Sequence, residues 1–276
     1  MNDAAKHCFD SVRANDKDRF LASLFAPEDK RPHLLALYAF DIEIGRIPNL
    51  ISEPAVGEIR YQWWLDALDA IYNGDAQDHP VAQALALALA IEAGDLPKQT
   101  LKNLVTARIL DLYADPMPSF VDLEGYLGET NSAVIQLASL ILVGEESLAS
   151  AEVAGLAGVA YGLANILRGT KIQRRRGKCF IPSDMLARHG ATAADVISGN
   201  NETAVNLALA ELRDKARARL KEARNLAWTI KPTAMPAFLH VALTENYLNG
   251  LAKGKVEMMQ LHKQWLLWKA AKAEAF

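Results

Sequence analysis

The densest chemistry in this sequence lies in "NILRGTKIQRRRGKCFIP" (165–182), where Arg168, Lys171, Arg174, Arg175, Arg176 and Lys178 follow one another closely. Arg168, Lys171 and Arg175 recur at spacings of three and four and share a helical face, while Arg174 and Arg176 diverge from it. Guanidinium and ammonium groups in that arrangement suit the oxygens of a phosphate. They equally suit a helix C-terminus, where the macrodipole is negative. Three readings stay open: a solvated helix end, a diphosphate or anionic-lipid headgroup site, and a contact for an acidic partner.

Acidic pairs are fewer. Asp111 and Asp115 form a DxxxD whose spacing puts both carboxylates on one helix face, as a Mg²⁺ site needs. Standing directly before Pro116, they also read as a solvated helix terminus. Asp66 and Asp69 in "WWLDALD" are similar, opposite an aromatic stripe in which Trp63 and Trp64 are either core or a ligand platform. His7, His33, His79, His189, His240 and His262 are scattered, and none pairs at i, i+4 with His or Cys, which argues against zinc. The motifs GxSxG, HExxH, GxGxxG and the P-loop do not occur, which removes the common hydrolase and nucleotide-binding classes. Cys8 and Cys179 form no CxxC, so a reducing compartment is expected rather than a disulfide framework.

Helices must position these groups. Apolar residues recur every three or four positions, without sustained alternation. The pattern predicts helices over 11–25, 32–46, 55–73, 80–93, 97–113, 119–127, 130–143, 147–173, 201–229, 234–252 and 256–270. Pro27, Pro32, Gly74, Gly94, "DPMPS" (115–119), Gly144 and "SGNNET" (198–203) punctuate them, with Ser119 as an N-cap. No long Gly/Ser-rich linker interrupts the 276 residues, so one all-α domain is expected. The 147–173 helix is rich in Ala and Gly. It either packs closely on its neighbours or lines an elongated apolar pocket.

A net charge of −3 gives no global attraction to nucleic acid. The N-terminal residues lack an apolar h-region and are too acidic for a typical mitochondrial presequence. The longest apolar stretches fall short of a transmembrane helix. A cytoplasmic protein is expected, with peripheral contact at the inner membrane open. The C-terminal "KVEMMQLHKQWLLWKAAKAEAF" (255–276) is amphipathic. It reads as a packed final helix, an interfacial membrane element or a partner helix.

Several strings occur in order: "RFLASLFAPEDKRPHLLALYAF" (19–40), "QWWLDALDAIYNG" with "HPVAQAL" (62–85), "DLEGYL" (122–127) and "NILR…RRGKCFIP" (165–182). Together they resemble the squalene/phytoene synthase family over about 18–250, with 251–276 left as a C-terminal helix. The resemblance implies a single isoprenoid-synthase-type helical bundle around a central apolar cavity. Active members condense two prenyl diphosphates head to head, and two aspartate motifs on facing helices hold the Mg²⁺ that neutralises the leaving group.

Here the first-motif positions are Gly45, Arg46 and Asn49, and the second-motif positions are Gly169 and Gln173. Asp41 and Glu43 stand near the first motif, with Asp41 one turn upstream. Tyr38, Asn165 and Arg168 match family pocket positions, whereas Ile42 and Gly162 replace an expected arginine and glutamine. The pocket candidates are Tyr38, Arg46, Asn165, Arg168, Lys171 and Arg175. Arg46, in place of an aspartate, suggests a cavity mouth turned positive, and no catalytic residue is assigned.

"LRGTKIQRRRGKCFIPSDMLARHG" (167–190), "EGYLGETNSAVIQLASLILVG" (124–144) and "MPAFLHVALTENYL" (235–248) are similar to a subset of the family that lacks the aspartate motifs and serves mitochondrial complex I assembly. That subset implies a pseudoenzyme without a cofactor, whose partner is a respiratory-complex subunit or assembly intermediate. An isoprenoid or anionic lipid is a further ligand candidate. The alternatives are a prenyltransferase on farnesyl or geranylgeranyl diphosphate, which requires Mg²⁺, and a lipid-binding protein without chemistry.

Overall fold

Residues 2–75, 77–91 and 96–276 are described by the computed structural model. Chain entry is set by two short polar caps. Asn2 caps α1 (Asp3–Asn15), and Asp16 accepts from the Arg19 amide to start α2 (Lys17–Ser23). This replaces the single helix expected over 11–25, because Asp16 leaves helical backbone geometry to act as the cap. Proline in the first turn opens α3 (Arg31–Arg46) and α4 (Pro54–Tyr72), where a missing N–H costs nothing. Gly74, at φ 83°, ends α4. Helix α5 (Pro80–Ile91) follows; the expected end of that helix at 93 and the stop at Gly94 lie outside the described residues.

Helix α6 (Lys98–Ala107) tightens into a 3₁₀ turn over Arg108–Leu112, and Tyr113 is extended. Ser119 caps α7 (Phe120–Leu127) in a reciprocal capping box with Asp122. A π-turn over Gly128–Ser132 leads into α8 (Ala133–Val143), and the 3₁₀ run Gly144–Ser150 into α9 (Ala151–Arg175). The helical run Phe120–Arg175 contains a window apolar enough for a bilayer, but 61% of that window is buried inside the protein. Its apolarity is that of a core element.

Two short helices, α10 (Ser183–Arg188) and α11 (Ala193–Ser198), precede the long α12 (Glu202–Asn225), which runs alongside α9. Pro236 breaks the helix expected over 234–252 into 3₁₀ turns over Pro232–Ala237 and Leu239–Leu243, leaving α13 (Thr244–Leu251). Helix α14 (Gln260–Ala273) closes the chain. No strand occurs among the described residues, and the fold is a single all-α domain.

The core has two parts. The larger, around Leu37, Phe40, Ile44, Leu137, Ile141 and Phe238, gathers α1, α3, α4, α5, α8 and the 3₁₀ turns. The smaller, around Leu123, Leu163, Met185, Ala208 and Leu212, lies between α7, α9, α10 and α12. Helix α9 borders both. A Cβ at Gly158 would stand 2.4 Å from the Ser132 Cα, so close approach of α9 to the π-turn requires this glycine. At Gly158 the Ala/Gly-rich composition therefore serves close packing.

Candidate functional site

Asp18 and Arg19 occupy the first turn of α2, and both are buried. Being adjacent on a helix, they point about 100° apart and organise two polar clusters inside the bundle.

Arg19 reaches α3. Its Nη1 donates to Asp41 Oδ2 at 2.5 Å, and Arg108 Nη2 donates to Asp41 Oδ1 at 3.0 Å. Arg108 Nη1 also donates to the Tyr126 hydroxyl at 3.0 Å, which in turn donates to Asp111 at 2.9 Å. The Lys178 ammonium donates to the Asp111 main-chain carbonyl. Burial works against ionisation of Asp41, but the two guanidinium groups outweigh it and hold this carboxyl below its ordinary range. Asp111 goes the other way: burial outweighs Arg108 and the Tyr126 hydrogen bond and raises it. Burial opposes the charge on Arg19 and Arg108, yet the neighbouring acidic groups overcome it and keep both above the usual arginine range.

Asp18 holds the second cluster. It accepts from Tyr247 at 2.6 Å, from Tyr161 at 3.3 Å and from the Lys263 ammonium at 2.9 Å. Arg168 lies 3.7 Å from the same carboxylate and stacks over the Tyr247 ring, 3.8 Å from its centroid. His240 is buried against the edge of Tyr161, and neither ring nitrogen has a partner among the described residues. Burial, reinforced by the charge of Arg19, drives its pKa well below 6.5.

The first cluster borders a cavity of about 300 Å³, onto which Asp41, Arg108, Asp111, Asn165, Gln173 and Phe180 open. Gly162, where the family glutamine is expected, also lines it. Arg108 links the two motif regions. Gln173 faces the cavity, and a Cβ at Gly45 would lie 3.8 Å from the Arg108 guanidinium carbon. Asn49 accepts from Arg176, which ties the end of α9 to the 3₁₀ turn after α3. Gly169 packs against the Gln173 side chain.

The predicted pocket residues divide. Asn165 lines the cavity and accepts from Arg168 at 2.9 Å. Tyr38 is buried under Arg19, 5.4 Å from ring centroid to guanidinium, with no partner for its hydroxyl among the described residues. Arg46 does not join them: it turns outward, pairs with Glu43 at 2.9 Å and borders a separate hollow with Trp63, Trp64 and His79. The inferred positive mouth built on Arg46 is thus corrected. The positive group beside Gly45 is Arg108, from the 3₁₀ turn after α6, and Arg19 joins it at Asp41 one turn upstream.

The basic run divides: Arg168, Lys171 and Arg174 border one groove with Arg213, while Arg176 and Lys178 turn to Asn49 and Asp111. Arg168 is drawn inward to Tyr247, and Arg174 donates to the Ile197 carbonyl. Lys171 faces a groove between α9, α11 and α12, and Arg175 is exposed. Spacing gave Arg168, Lys171 and Arg175 one face, but along it only Arg168 is half-buried, and Lys171 and Arg175 are exposed.

Asp111 and Asp115 do not share a face. The helix gives way to the 3₁₀ turn and extended Tyr113, which leaves Asp111 buried on Tyr126 and Asp115 exposed. Asp69 holds Lys98 and Lys102 of α6 at 2.8 and 3.0 Å, and Asp66 accepts from Gln62 on its own helix. Trp63 and Trp64 pack edge-on with each other and with His79.

The residues present do not fit the family's Mg²⁺ clusters. No carboxylate stands at 45, 46, 49, 169 or 173, and Asp41 is already neutralised by two guanidinium groups. Among the described residues no group of three His, Cys, Asp or Glu side chains gathers as a ligand set. Sequence reading missed Asp18, Arg19, Arg108, Tyr126, Tyr161, Tyr247, His240 and Lys263. Their one visible signal is an ionisable residue embedded in an otherwise apolar helix, as in "DRFLASLF" and "HKQWLLW".

An all-α bundle with a polar cavity between α3, α7 and α9, in which Arg19 and Arg108 are paired with Asp41, has the isoprenoid-synthase-type fold. The sequence model described as Squalene/phytoene synthase matches residues 12–269, and the chain belongs to that family. The match runs beyond the 18–250 expected and takes in most of α14. Human NADH dehydrogenase (ubiquinone) complex I, assembly factor 6, is 29% identical over 247 residues, 90% of this chain and 73% of that protein. Phytoene synthase of Thermus thermophilus is 26% identical, over 76% of this chain and 70% of that protein. Among solved structures, a dehydrosqualene synthase superposes with a TM-score of 0.84 at 18% identity, covering 98% of this chain and 95% of that one. Squalene synthase HpnC from Alicyclobacillus acidocaldarius gives 0.78 at 22%, covering 91% and 94%. At those identities the structures speak to fold.

Proposed function

We propose that this chain is a non-catalytic family member that serves assembly of a membrane-bound respiratory complex of the complex I type. The observation that carries the reading is the Arg19–Asp41–Arg108 ion cluster beside Gly45, in the position from which a metal motif would have to act. A diphosphate leaving group needs a metal clamp to stabilise its departing charge. Here the nearby Asp41 is consumed by internal arginines, Glu43 pairs with Arg46, and the facing motif is Gly169 and Gln173. The similarity to complex I assembly factor 6 in human and Drosophila supports the same direction. On this reading the partner is a respiratory subunit or assembly intermediate, the protein works in the cytoplasm at the inner membrane, and it requires no cofactor.

One two-armed experiment tests it. Tagged chain from its own cells should co-purify with complex I subunits or intermediates, and deletion should lower assembled complex I. Purified chain given farnesyl or geranylgeranyl diphosphate with Mg²⁺ or Mn²⁺ should release no pyrophosphate. Intact complex I after deletion overturns the assembly role, and condensed prenyl product overturns the loss of catalysis in favour of a prenyltransferase.

A further inference from the structure

Helix α14 is apolar on two opposite sides, and the bundle uses only one. The inner side carries Lys263, Leu267 and Ala270, all buried, with Leu266 and Ala271 packed half-buried against the core. Lys263 reaches Asp18 at 2.9 Å, and beyond the helix Phe276 stacks on Phe238 with ring centroids 6.0 Å apart. The Phe276 carbonyl also accepts from Arg224 at 2.8 Å. The helix is therefore held from both ends and cannot roll its outer side inward.

That outer side presents Leu261, Trp265 and Trp268 at 74%, 53% and 54% exposure, preceded by Met259 at 76%. At about 100° per residue, positions 261, 265, 268 and 272 fall within an arc of roughly 60°. Lys269 lies 5.5 Å over the Trp265 ring and Lys272 5.4 Å over the Trp268 ring. Lys253 and Lys255, just before the helix, are also exposed. Between 258 and 273 the sequence holds no aspartate or glutamate.

From this face we infer that α14 lies in the interfacial plane of a bilayer containing anionic lipids. Tryptophan sits well at such a boundary, its ring in the apolar layer and its indole N–H toward water. Lysines beside it extend along the acyl boundary and keep their ammonium groups among the phosphates. Charge selects this occupant over a protein. Lysines are depleted from the desolvated centre of protein interfaces, whereas next to anionic lipid each strengthens binding. The inference rests on α14 alone and does not depend on the assembly reading.

Flotation of the full chain with protein-free vesicles tests it, using phosphatidylcholine alone against equal parts phosphatidylcholine and phosphatidylglycerol. The anionic vesicles should carry at least about tenfold more protein, and salt at about 0.15 M should reduce this. Trp265→Ala/Trp268→Ala should lose about tenfold or more of the binding with its thermal unfolding unchanged, because both rings are exposed in the fold. Lys269→Glu/Lys272→Glu should abolish the preference for anionic vesicles. Failure to float overturns the inference, as does flotation that the tryptophan variant does not weaken. Binding only to membranes that retain their own proteins overturns it too and assigns the face to a protein partner.

Discussion

Asp41 shows how a carboxylate can be retained while its chemistry is lost. It sits one turn before the first-motif positions and spends both oxygens on Arg19 and Arg108. Asp41→Asn would leave the buried Arg19 and Arg108 with only their longer pairs to Asp16 and Asp111, both at 3.6 Å. Breaking such an ion cluster from one side costs about 3–5 kcal/mol, which urea unfolding should report. If Asp41→Asn unfolds like wild type, the cluster is not a structural unit. At this scale the sequence was partly legible. Gly45, Asn49, Gly169 and Gln173 show directly that the motif carboxylates are absent. Arg108 could not be read as their neighbour, because it comes from a helix end sixty residues downstream.

Among the elements, α9 carries two glycines of opposite character. Gly158 faces the Ser132 backbone at a distance no Cβ tolerates, whereas a Cβ at Gly155 meets nothing within 4 Å. Gly155→Ala should stabilise the protein by about 0.5–1 kcal/mol through helix propensity. Gly158→Ala should destabilise it by about 1–3 kcal/mol, because overpacking against backbone exceeds that gain. Denaturation midpoints of the two variants should move in opposite directions; movement in the same direction would refute the packing role of Gly158. The small-residue pattern predicted a closely approached helix without saying which glycine touches what. Helix boundaries behaved similarly. The Ser119 cap and the Gly74 and Gly144 stops were readable from local backbone chemistry. The division at Asp16 and the 3₁₀ turns around Pro236 are also local, a side-chain cap and a proline, but the apolar period runs through both and hid them.

For the molecule as a whole, the buried polar interior should set its response to acid. His240 is neutral in the fold, its pKa well below 6.5, while in the unfolded chain it takes up a proton near 6.5. The unfolded state then binds more protons as pH falls. The contribution is complete above about pH 6.5 and is lost below it, at up to about 1.4 kcal/mol per pH unit. His79, lowered by burial, adds in the same sense, whereas the raised carboxyls Asp16 and Asp111 oppose it in more acid solution. The difference between wild type and His240→Leu isolates the effect. Stability measured from pH 7.5 to pH 5 should fall less steeply in the variant, and parallel slopes would show that His240 is protonated in the fold.

The sequence by itself determined the helical class, the single domain, the family and the absence of motif carboxylates, because periodicity, caps and ordered motifs are local properties of the chain. Only the tertiary structure decided which charges meet beside the first-motif region and where the cations go. Asp18, Arg19, Asp41, Arg108, Tyr126 and Lys263 come from four separate helices and a 3₁₀ turn and meet only when the bundle closes. It likewise decided that α14 keeps its tryptophans outward, since which of its two apolar sides the core takes depends on where Asp18 and Phe238 stand.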